Sequence, residues 1–562
     1  MVLVSGSMKN IIVKLLAKEV GMKVGEVERL VEIPPKDEMG DFAFPCFGLA
    51  KSLKKNPMLI AEELAEKLRK DLKKTDISGV DFKGAYVNFF VDKKVLADRV
   101  LKDGGKVEKR KGKRVIEFPS PNTNKPLHLG HLRNMAIGAS VAKILEFAGN
   151  DVVRVNLNND RGVHICKSMV SYEKFGKGAD PNKKSDHFVG DYYVKFNEAA
   201  KKDKKLEVAA LDCLKKWEDG DKETVALWKK MNKWAFDGFA ETYDLFGVKF
   251  DKEYFESDVY SKGKDIIAAG LKKGIFEKGD DGEVKINLEK EKLGEKVLLR
   301  ADGTSLYMVQ DLYLAKLKDD DFKVDGSIYV VGNEQNYHFK VLFSILKKLG
   351  FKFADKLYHL SYGMVNLPEG RMKSREGTIV DADDLIEKTR KLAENGLVTR
   401  DANLSKKELG DRSLKIALAA IKYNLLKIDI RKNMVFNPKE AIAFEGDTGP
   451  YLLYSYARAS SIVRKVKSKK KVKILDLKGE EIRLLKKVDS FGDVVAKAYD
   501  SLAPNLVANY CYELAQMFNE FYHVCPVLGS VEEGFRLALV KKFRDVLKDG
   551  LDLLGIEVVE EM

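Results

Sequence analysis

The sequence predicts a multidomain α/β protein: a Rossmann-type, doubly wound parallel sheet with insertions, an α+β domain before it and an all-helical domain after it. Three observations predict this arrangement. Short apolar runs alternate with helical patterns through the middle of the chain, as β-α-β units require. Beyond about residue 385 only helical periodicity is left. The chain has 562 residues, 45% of them hydrophobic, and can bury several separate cores.

The N-terminal region is predicted to be the α+β domain. Helical patterns precede an alternating apolar stretch at residues 86–91, and a glycine- and lysine-rich run at residues 103–113 is typical of a linker. In the alternating stretch, Tyr86 and Asn88 fall on one side of a strand, where an aromatic ring and an amide suit an unpaired RNA base. Ordinary strand packing is the alternative for Tyr86.

The central sheet begins with a β-α-β unit. Residues 114–118 are predicted to form a buried strand, residues 129–149 a helix that ends at a glycine, and residues 151–157 a second strand. Residues from about 165 to 300 are charged, and we predict a mostly helical insertion there. A further strand, helix and strand are predicted at residues 327–331, 338–349 and 357–365.

Helical periodicity dominates the C-terminal region, with breaks near residues 433–438 and 446–450, and no strand is predicted there. The chain is therefore divided into an N-terminal domain, a sheet domain, a helical stem and a C-terminal helical domain. Their predicted bounds are residues 1–110, 111–385, 386–440 and 441–562.

Charge and cysteine content limit the kinds of partner and site. Lysine and arginine number 100 against 86 acidic residues, a net charge of +14, which favours a polyanionic partner but also fits a charged surface that prevents aggregation. The five cysteines form no Cys-x-x-Cys pair, so neither disulfides nor a structural metal are predicted, and the reducing cytoplasm is the expected location. No apolar run has the length of a membrane span.

The segment between the first strand and helix of the sheet domain suits a nucleotide. A helix N-terminus after a strand offers free N–H groups to phosphate, and Gly130 leaves room for a purine beside the backbone. His128 and His131 lie on one helical face and can donate to phosphate oxygens as charge builds at the α-phosphorus, which is adenylation chemistry. A metal site is the alternative, but no third ligand lies nearby in sequence. No Walker A sequence is present.

Residues 125–131, KPLHLGH, resemble the His-Ile-Gly-His signature of class I aminoacyl-tRNA synthetases, with Leu129 in place of isoleucine. With SPN at 120–122 and RN at 133–134, the segment is similar to the arginine-specific family of that class. The resemblance covers about residues 9–562. It implies that arginine and ATP, as its Mg²⁺ complex, form arginyl-adenylate and pyrophosphate, and that the terminal ribose of the arginine tRNA then accepts the arginyl group. It also implies that tRNA must be bound before activation. We expect a monomer.

The second signature of the class, Lys-Met-Ser-Lys-Ser, corresponds loosely to residues 371–378, RMKSREGT. Met372 fits, but Ser374 stands where the second lysine is expected, which leaves open what steadies the pyrophosphate leaving group. Lys125, Lys373 and Arg375 are the candidates. The residues assigned to catalysis and ATP are Lys125, His128, Leu129, Gly130, His131, Met372, Lys373, Ser374 and Arg375.

An arginine side chain is a planar fork of five donors, so its pocket needs carboxylates and neutral acceptors. Tyr307 and Asp311, at i and i+4 of a predicted helix, match the tyrosine and aspartate that hold the guanidinium in the family. A surface pair is the alternative on the residues alone. The residues that the resemblance assigns to arginine are Ser120, Pro121, Asn122, His131, Tyr307, Asp311, Gln335, Glu117 and Glu256.

The two ends of the chain resemble the tRNA-binding domains of the family. The first looks like the domain that touches the tRNA elbow at the D-loop, and residues 444–451, FEGDTGPY, open a helix similar to the anticodon-binding domain. Residues 160–162 and 187–193 are similar to the archaeal and eukaryotic branch, with no chemical role assigned. The residues assigned to tRNA are Tyr86, Asn88, Tyr454, Arg458 and Met562, with Asn519, Phe521 and Tyr522 on the surface of Met562.

Two other functions stay open on the sequence. A class I synthetase for another amino acid, the cysteine enzyme above all, should carry a zinc site, and the sequence offers no ligand set for one. A non-catalytic tRNA-binding relative is opposed by the intact His128 and His131 but favoured by the missing lysine. Turnover of ATP separates an enzyme from such a relative.

Overall fold

The structure, a computed structural model, describes residues 7–34, 39–72, 77–368, 380–400, 404–466 and 470–562. It has the predicted fold class: an α+β N-terminal unit, a parallel sheet between helices and a helical C-terminal unit. Among the described residues, no helix combines the length and the apolar character needed to cross a membrane.

The N-terminal unit packs helices against a three-stranded sheet. Val87 and Phe89 of its middle strand are fully buried, because an antiparallel sheet covered on one face places alternate side chains in the core. Its elements are α1 (Met8–Val20), α2 (Val24–Leu30), β1 (Phe42–Pro45), α3 (Phe47–Leu53), α4 (Pro57–Asp71), β2 (Ile77–Lys83), β3 (Tyr86–Val91) and α5 (Lys93–Asp103), with strand order β1-β3-β2.

The central part of the chain alternates strands and helices, as predicted. Its elements are β4 (Lys113–Glu117), α6 (Leu129–Phe147), β5 (Asp151–Asn158), α7 (Val163–Gly176), α8 (Ser185–Lys202), α9 (Lys205–Glu218), α10 (Lys222–Phe246), β6 (Lys252–Phe255), α11 (Glu256–Val259), α12 (Lys264–Lys272), β7 (Glu277–Lys278), β8 (Val284–Asn287), β9 (Glu295–Leu299), α13 (Tyr307–Phe322), β10 (Gly326–Gly332), α14 (Asn336–Lys348), β11 (Leu357–Tyr362) and β12 (Val365–Asn366).

The main sheet has five parallel strands in the order β11-β10-β4-β5-β6. The first strand of this sheet, β4, lies in its middle. The chain then adds β5 and β6 on one side of β4, and later adds β10 and β11 on the other side. In such a doubly wound sheet, ligands bind at the carboxyl ends of the strands where the winding reverses. The loops after β4 and β10 are therefore expected to build the site.

The insertion is mostly helical, as predicted, but it also contains four short strands in its described residues. α7 to α10 are helical, but β6 joins the main sheet and β7, β8 and β9 form a separate antiparallel sheet. Only Tyr254 of the four residues of β6 is buried, so this edge strand has no alternating pattern. β8 buries only Val284 and Ile286, too short a period-two signal to predict a strand.

In its described residues, the C-terminal part is helical apart from one short strand, which corrects the prediction of none. β13 pairs in parallel with β12, and each strand contributes two residues to this pairing. Arg133 of α6, fully buried, donates to the carbonyl oxygens of Met364, Ile430 and Lys432 and holds this pair against the sheet domain. The elements are α15 (Ala382–Arg400), α16 (Lys406–Leu426), β13 (Met434–Val435), α17 (Pro438–Ala441), α18 (Gly449–Lys465), α19 (Gly479–Asp489), α20 (Phe491–Ser501), α21 (Pro504–Val524) and α22 (Glu533–Leu553).

Candidate active site

His128 and His131 form a hydrogen-bonded pair at the start of α6. The Nδ1 atom of His128 accepts from the backbone N–H of Gly130 at 3.1 Å, and the backbone N–H of His128 donates to Nδ1 of His131 at 3.1 Å. The ring centroids lie 4.0 Å apart. Because both Nδ1 atoms accept, the proton of each neutral ring is on Nε2, where it is available as a donor. A Cβ at position 130 would lie 2.9 Å from His128 Cε1, so this capping ring is itself a reason for glycine there.

Both imidazoles are held in the neutral form. Burial, reinforced by the nearby positive charge of Lys125, lowers the pKa of His128 to about 3. Burial lowers the pKa of His131 well below its ordinary value, with further contributions from His128 and Lys125. Burial also lowers the pKa of Lys125 itself. The helix N-terminus thus presents two neutral N–H donors and one amine within a small region.

A second segment lies directly beside this helix start. The backbone N–H of Leu129 donates to the carbonyl of Val380 at 3.0 Å, and the N–H of Ala382 donates to the carbonyl of Leu127 at 3.0 Å. This segment follows the predicted second signature in the chain. Four residues assigned to ATP, namely Met372, Lys373, Ser374 and Arg375, lie outside the described residues.

A cavity of about 400 Å³ at the carboxyl edge of the sheet brings together five of the residues assigned to arginine. It is bounded by the loop after β4, the segment after β6, the first turns of α13 and the segment after β10. The Tyr307 side chain is 71% exposed at its mouth. The five residues are Asn122, Glu256, Tyr307, Asp311 and Gln335.

Two carboxyl groups, those of Asp311 and Glu256, line this cavity together with the basic side chains of Arg161 and His338. Asp311 Oδ2 lies 2.6 Å from His338 Nε2, and this hydrogen bond raises the pKa of His338. Burial raises the pKa of Glu256 to about 7, against the opposing effect of Arg161, and the charges of Asp160 and Asp311 raise it further. A cation bound in this cavity would favour the ionised form of Glu256.

The other residues assigned to arginine do not line the cavity. The carbonyls of Ser120 and Pro121 accept from the side chain and backbone of Asn159, at 2.9 and 3.0 Å, and this fixes the loop that presents Asn122. Ser120 has a φ of 53°, an uncommon conformation for a residue with a side chain. His131 faces the helix start described above.

Glu117, which the resemblance also assigns to arginine, forms an ion pair within the protein core. Its Oε2 lies 2.7 Å from Lys318 Nζ, and both side chains are buried. Lys318 also stands over the ring of Tyr329, 3.7 Å from its centroid. The Glu117 carboxylate therefore neutralises a buried lysine beneath the cavity.

The sequence did not assign two basic residues, His338 and Arg161, that are among those lining the cavity. His338 follows Gln335 by three residues and so lies one turn into α14, a spacing that could have identified it. Arg161 comes from the 160–162 motif, stacks over Tyr260 at 4.1 Å and pairs with Glu218. Both interactions of Arg161 join residues distant in sequence, and no local pattern indicates them.

The residues assigned to the anticodon surface lie together in a groove of about 660 Å³ between α18 and α21. Tyr454, Arg458 and Met562 all line it. Arg458 donates to the Tyr454 hydroxyl at 3.0 Å and stacks over the ring of Tyr522 at 5.3 Å. Asn519 also bonds to Arg458, but Phe521 is fully buried and does not reach this surface, because it faces the helical core.

Tyr86 and Asn88 line a cavity of about 530 Å³ in the N-terminal unit, on the same side of β3 as predicted. The Tyr86 ring packs edge-on against Phe47, with 5.6 Å between centroids, and Asn88 is only 5% exposed. Tyr86 thus packs against Phe47 and also lines the cavity.

Among the residues that the structure describes, the only group of three metal-ligand types close enough to hold an ion is Asp186, His187 and Asp383. His128 and His131 are not in it. In the described part of the chain, the His-x-x-His pair thus has no third ligand of the kind that the metal alternative requires.

A parallel sheet that presents two imidazoles at the N-terminus of its first helix is the arrangement of a class I aminoacyl-tRNA synthetase. Three family models match the chain: tRNA synthetases class I (R), catalytic domain, over residues 93–438; DALR anticodon binding domain, over 452–562; and Arginyl tRNA synthetase N terminal domain, over 6–91. The chain belongs to the arginyl-tRNA synthetase family.

Curated relatives and solved structures agree with this membership. An arginine–tRNA ligase of Treponema denticola is 48% identical, over 95% of this chain and 94% of its own. One of Porphyromonas gingivalis is 42% identical, over 93% and 94%. The solved structure of the Thermus thermophilus arginyl-tRNA synthetase superposes with a TM-score of 0.87 at 27% identity, covering 99% of this chain and all of that one (100%).

Proposed function

We propose that this chain attaches arginine to the arginine tRNA in two steps driven by ATP. As a member of its family it is an arginine–tRNA ligase. The observation that carries the proposed substrate is the cavity in which Asp311 and Glu256 lie together. Two carboxyl groups match the charge and the donor fork of a guanidinium.

Arginine is held by groups from several loops. Asp311, Glu256 and Tyr307 contact the guanidinium, while Asn122, presented by the loop of Ser120 and Pro121, contacts the amino and carboxylate groups. Support for this orientation comes from the placement of Asp311 and Glu256 in one cavity with Asn122. Lysine has one ammonium where arginine has a fork, so it cannot satisfy both carboxylates in the same way.

In the first step, the arginine carboxylate attacks the α-phosphorus of Mg²⁺-bound ATP, the bond from that phosphorus to the bridging oxygen breaks, and pyrophosphate leaves. His128 and His131 donate from Nε2 to phosphate oxygens whose negative charge grows in the transition state. Lys125 supplies the positive charge that the second signature lacks. In the second step, the terminal ribose hydroxyl attacks the carbonyl carbon of arginyl-adenylate and AMP leaves.

Both ends of the chain are proposed to hold the tRNA. Tyr86 and Asn88 face the elbow, and the groove with Tyr454, Arg458 and Met562 faces the anticodon. Support comes from the exposed aromatic and cationic groups of that groove, which suit splayed bases. The division of the chain at residues 110, 385 and 440, the monomeric state and the cytoplasmic location stay predictions.

Pyrophosphate exchange with each of the twenty amino acids, with and without total tRNA, tests the proposal. We expect exchange with arginine only, and only when tRNA is present. Exchange with another amino acid would keep the class and overturn the assignment of the cavity. No exchange under any condition would favour a tRNA-binding relative without catalysis.

Replacing Lys125 by alanine should lower the rate of pyrophosphate exchange about a hundredfold, because one group that stabilises transition-state charge is lost. The affinity for tRNA, measured by filter binding, should change little. Lys174→Ala is the matched control, since that lysine is exposed and pairs with Asp203 at 3.5 Å in the insertion. A normal exchange rate in the Lys125 variant would remove this residue from the reaction.

A further inference from the structure

The first turn of α8 carries a cluster of charged groups that reaches across to the start of α15. Lys184 Nζ lies 2.7 Å from Asp383 Oδ2, 3.2 Å from Asp186 Oδ1 and 2.6 Å from Thr242 Oγ1. His187 Nε2 lies 2.9 Å from Asp383 Oδ2 and 3.4 Å from Asp381 Oδ2. We call Lys184, Asp186, His187, Asp381 and Asp383 the α8 cluster.

The acidic members of this cluster lie in the segment that pairs with the active-site helix. Asp381 forms a backbone bridge with His128, between the two hydrogen bonds that join Leu127 and Leu129 to this segment. The side chain of Asp381 also caps α15, since its Oδ1 accepts from the N–H of Asp383 at 2.9 Å. Residues 380–383 thus contact the His128 backbone on one side and α8 on the other.

A second contact joins α8 to the loop between β4 and α6, which carries Lys125. A Cβ at Gly190, one turn beyond His187, would lie 2.6 Å from Pro126 Cδ and 3.6 Å from Lys125 Cα. The helix can approach Lys125 only because position 190 is glycine. The 187–193 motif, which has no chemical role on the sequence, therefore contacts both segments that border the adenylation site.

The cluster is an ion-pair network and not an open metal site. The Lys184 ammonium already lies among the carboxylates that would bind a cation. The hydrogen bond to Asp383 is the main cause that raises the pKa of His187, with Asp381 and Asp186 contributing, and burial opposes it. Burial raises the pKa of Asp381 to about 6. When protonated, the His187 imidazole balances part of the acidic charge of the two aspartates that it contacts.

We propose that His187 is a positioning residue for arginine activation. It acts through Asp381 and Asp383, which hold the backbone against which His128 is placed. This inference rests on the proposed function and adds to it a role for the insertion. The geometry at His128 matters because its Nε2–H must meet a phosphate oxygen, and a misplacement of about 1 Å can cost about a hundredfold in rate.

The test compares His187→Ala and Asp383→Asn with the full-length wild type in the arginine-dependent exchange, with tRNA present. We expect kcat per active site, counted by a single-turnover burst of adenylate, to fall about ten- to hundredfold while the arginine KM changes less than about twofold. The double variant should lose no more than the more impaired single variant, because both changes remove the same contact between His187 and Asp383. Lys233→Ala, which removes an exposed pair with Asp237 on α10, should leave kcat unchanged.

The pH profile gives a readout that a purely structural role would not change. Protonated His187 faces Asp381 and Asp383 of the α15 segment and Asp186 of its own helix start. Lys184 pairs with Asp186 and Asp383, and the Thr242 hydroxyl of α10 donates to Asp383. The raised pKa of His187 means that its pair with Asp383 is intact below that pKa and is lost as pH rises through it. The wild-type kcat should therefore fall on the alkaline side, and His187→Lys should move that fall to higher pH.

The outcomes separate the two proposals. If His187→Ala lowers only the melting temperature and the fraction of active sites, with kcat per site and its pH profile unchanged, the positioning role is overturned. If the wild type itself shows no exchange with arginine, the proposed function fails instead.

Discussion

Asp311→Asn should raise the arginine KM in pyrophosphate exchange by about ten- to hundredfold, because a charge-assisted hydrogen bond contributes about 1.5 to 3 kcal/mol. The amide also turns one acceptor into an N–H₂ donor, which faces a guanidinium that itself only donates. The effect should appear in kcat/KM with kcat changed far less, since the guanidinium lies away from the reacting carboxylate. Initial rates over a range of arginine concentrations at saturating ATP and tRNA measure both constants.

Asp320→Asn is the control for this change. Asp320 lies on the same helix, α13, but is exposed and pairs with Lys316 one turn away. This variant should keep the wild-type KM. Loss of Asp311 also removes the partner that raises the pKa of His338, so that imidazole should titrate at lower pH in the variant. An unchanged arginine KM in Asp311→Asn would exclude Asp311 from the pocket.

The parts of the fold that the sequence predicts have a local signal. The β-α-β start of the sheet has buried apolar runs and a long helical pattern, and its observed bounds differ from the predicted ones by no more than two residues, as in α6 (Leu129–Phe147). β6 and β13 lack such a signal, since their partners β5 and β12 lie far away in the chain. Long-range pairing of such short strands is a property of the tertiary structure.

In the candidate site too, residues with a local sequence pattern are predicted, whereas contacts between residues far apart in the chain are not. Tyr307 and Asp311 were identified by their spacing on a helix and by resemblance to a family segment, and the structure places both at one cavity. Glu117 has the right residue type at the right strand end, but its carboxylate is bonded to Lys318, 201 residues away. His187 is similarly tied to Asp383, 196 residues away. A sequence shows the presence of such groups but not which of them neutralise one another.

His128→Asn should lower kcat of arginine activation by about 10²- to 10³-fold while leaving the stability of the fold nearly unchanged. His128 has two separable roles in the structure. Its Nδ1 caps α6 by accepting from the N–H of Gly130, and its Nε2–H is the proposed donor to phosphate. Asparagine is a favourable N-cap residue and keeps the first role, but it offers no donor at the Nε2 position. Exchange kinetics and thermal unfolding of the same preparation measure the two roles separately.

His128→Ala is the comparison, because it removes both roles. It should show the same loss of kcat as His128→Asn and an additional loss of about 1 kcal/mol in the free energy of unfolding from the missing cap. Since burial holds the pKa of His128 at about 3, this group should add no acid limb to the wild-type rate between about pH 5 and 8. Two results would contradict the assignment: a wild-type kcat in His128→Asn, or a wild-type acid limb near the ordinary histidine pKa that disappears in this variant. Either would mean that His128 serves the helix alone or acts as a charged imidazolium, and the neutral-donor chemistry proposed for this pair would have to be abandoned.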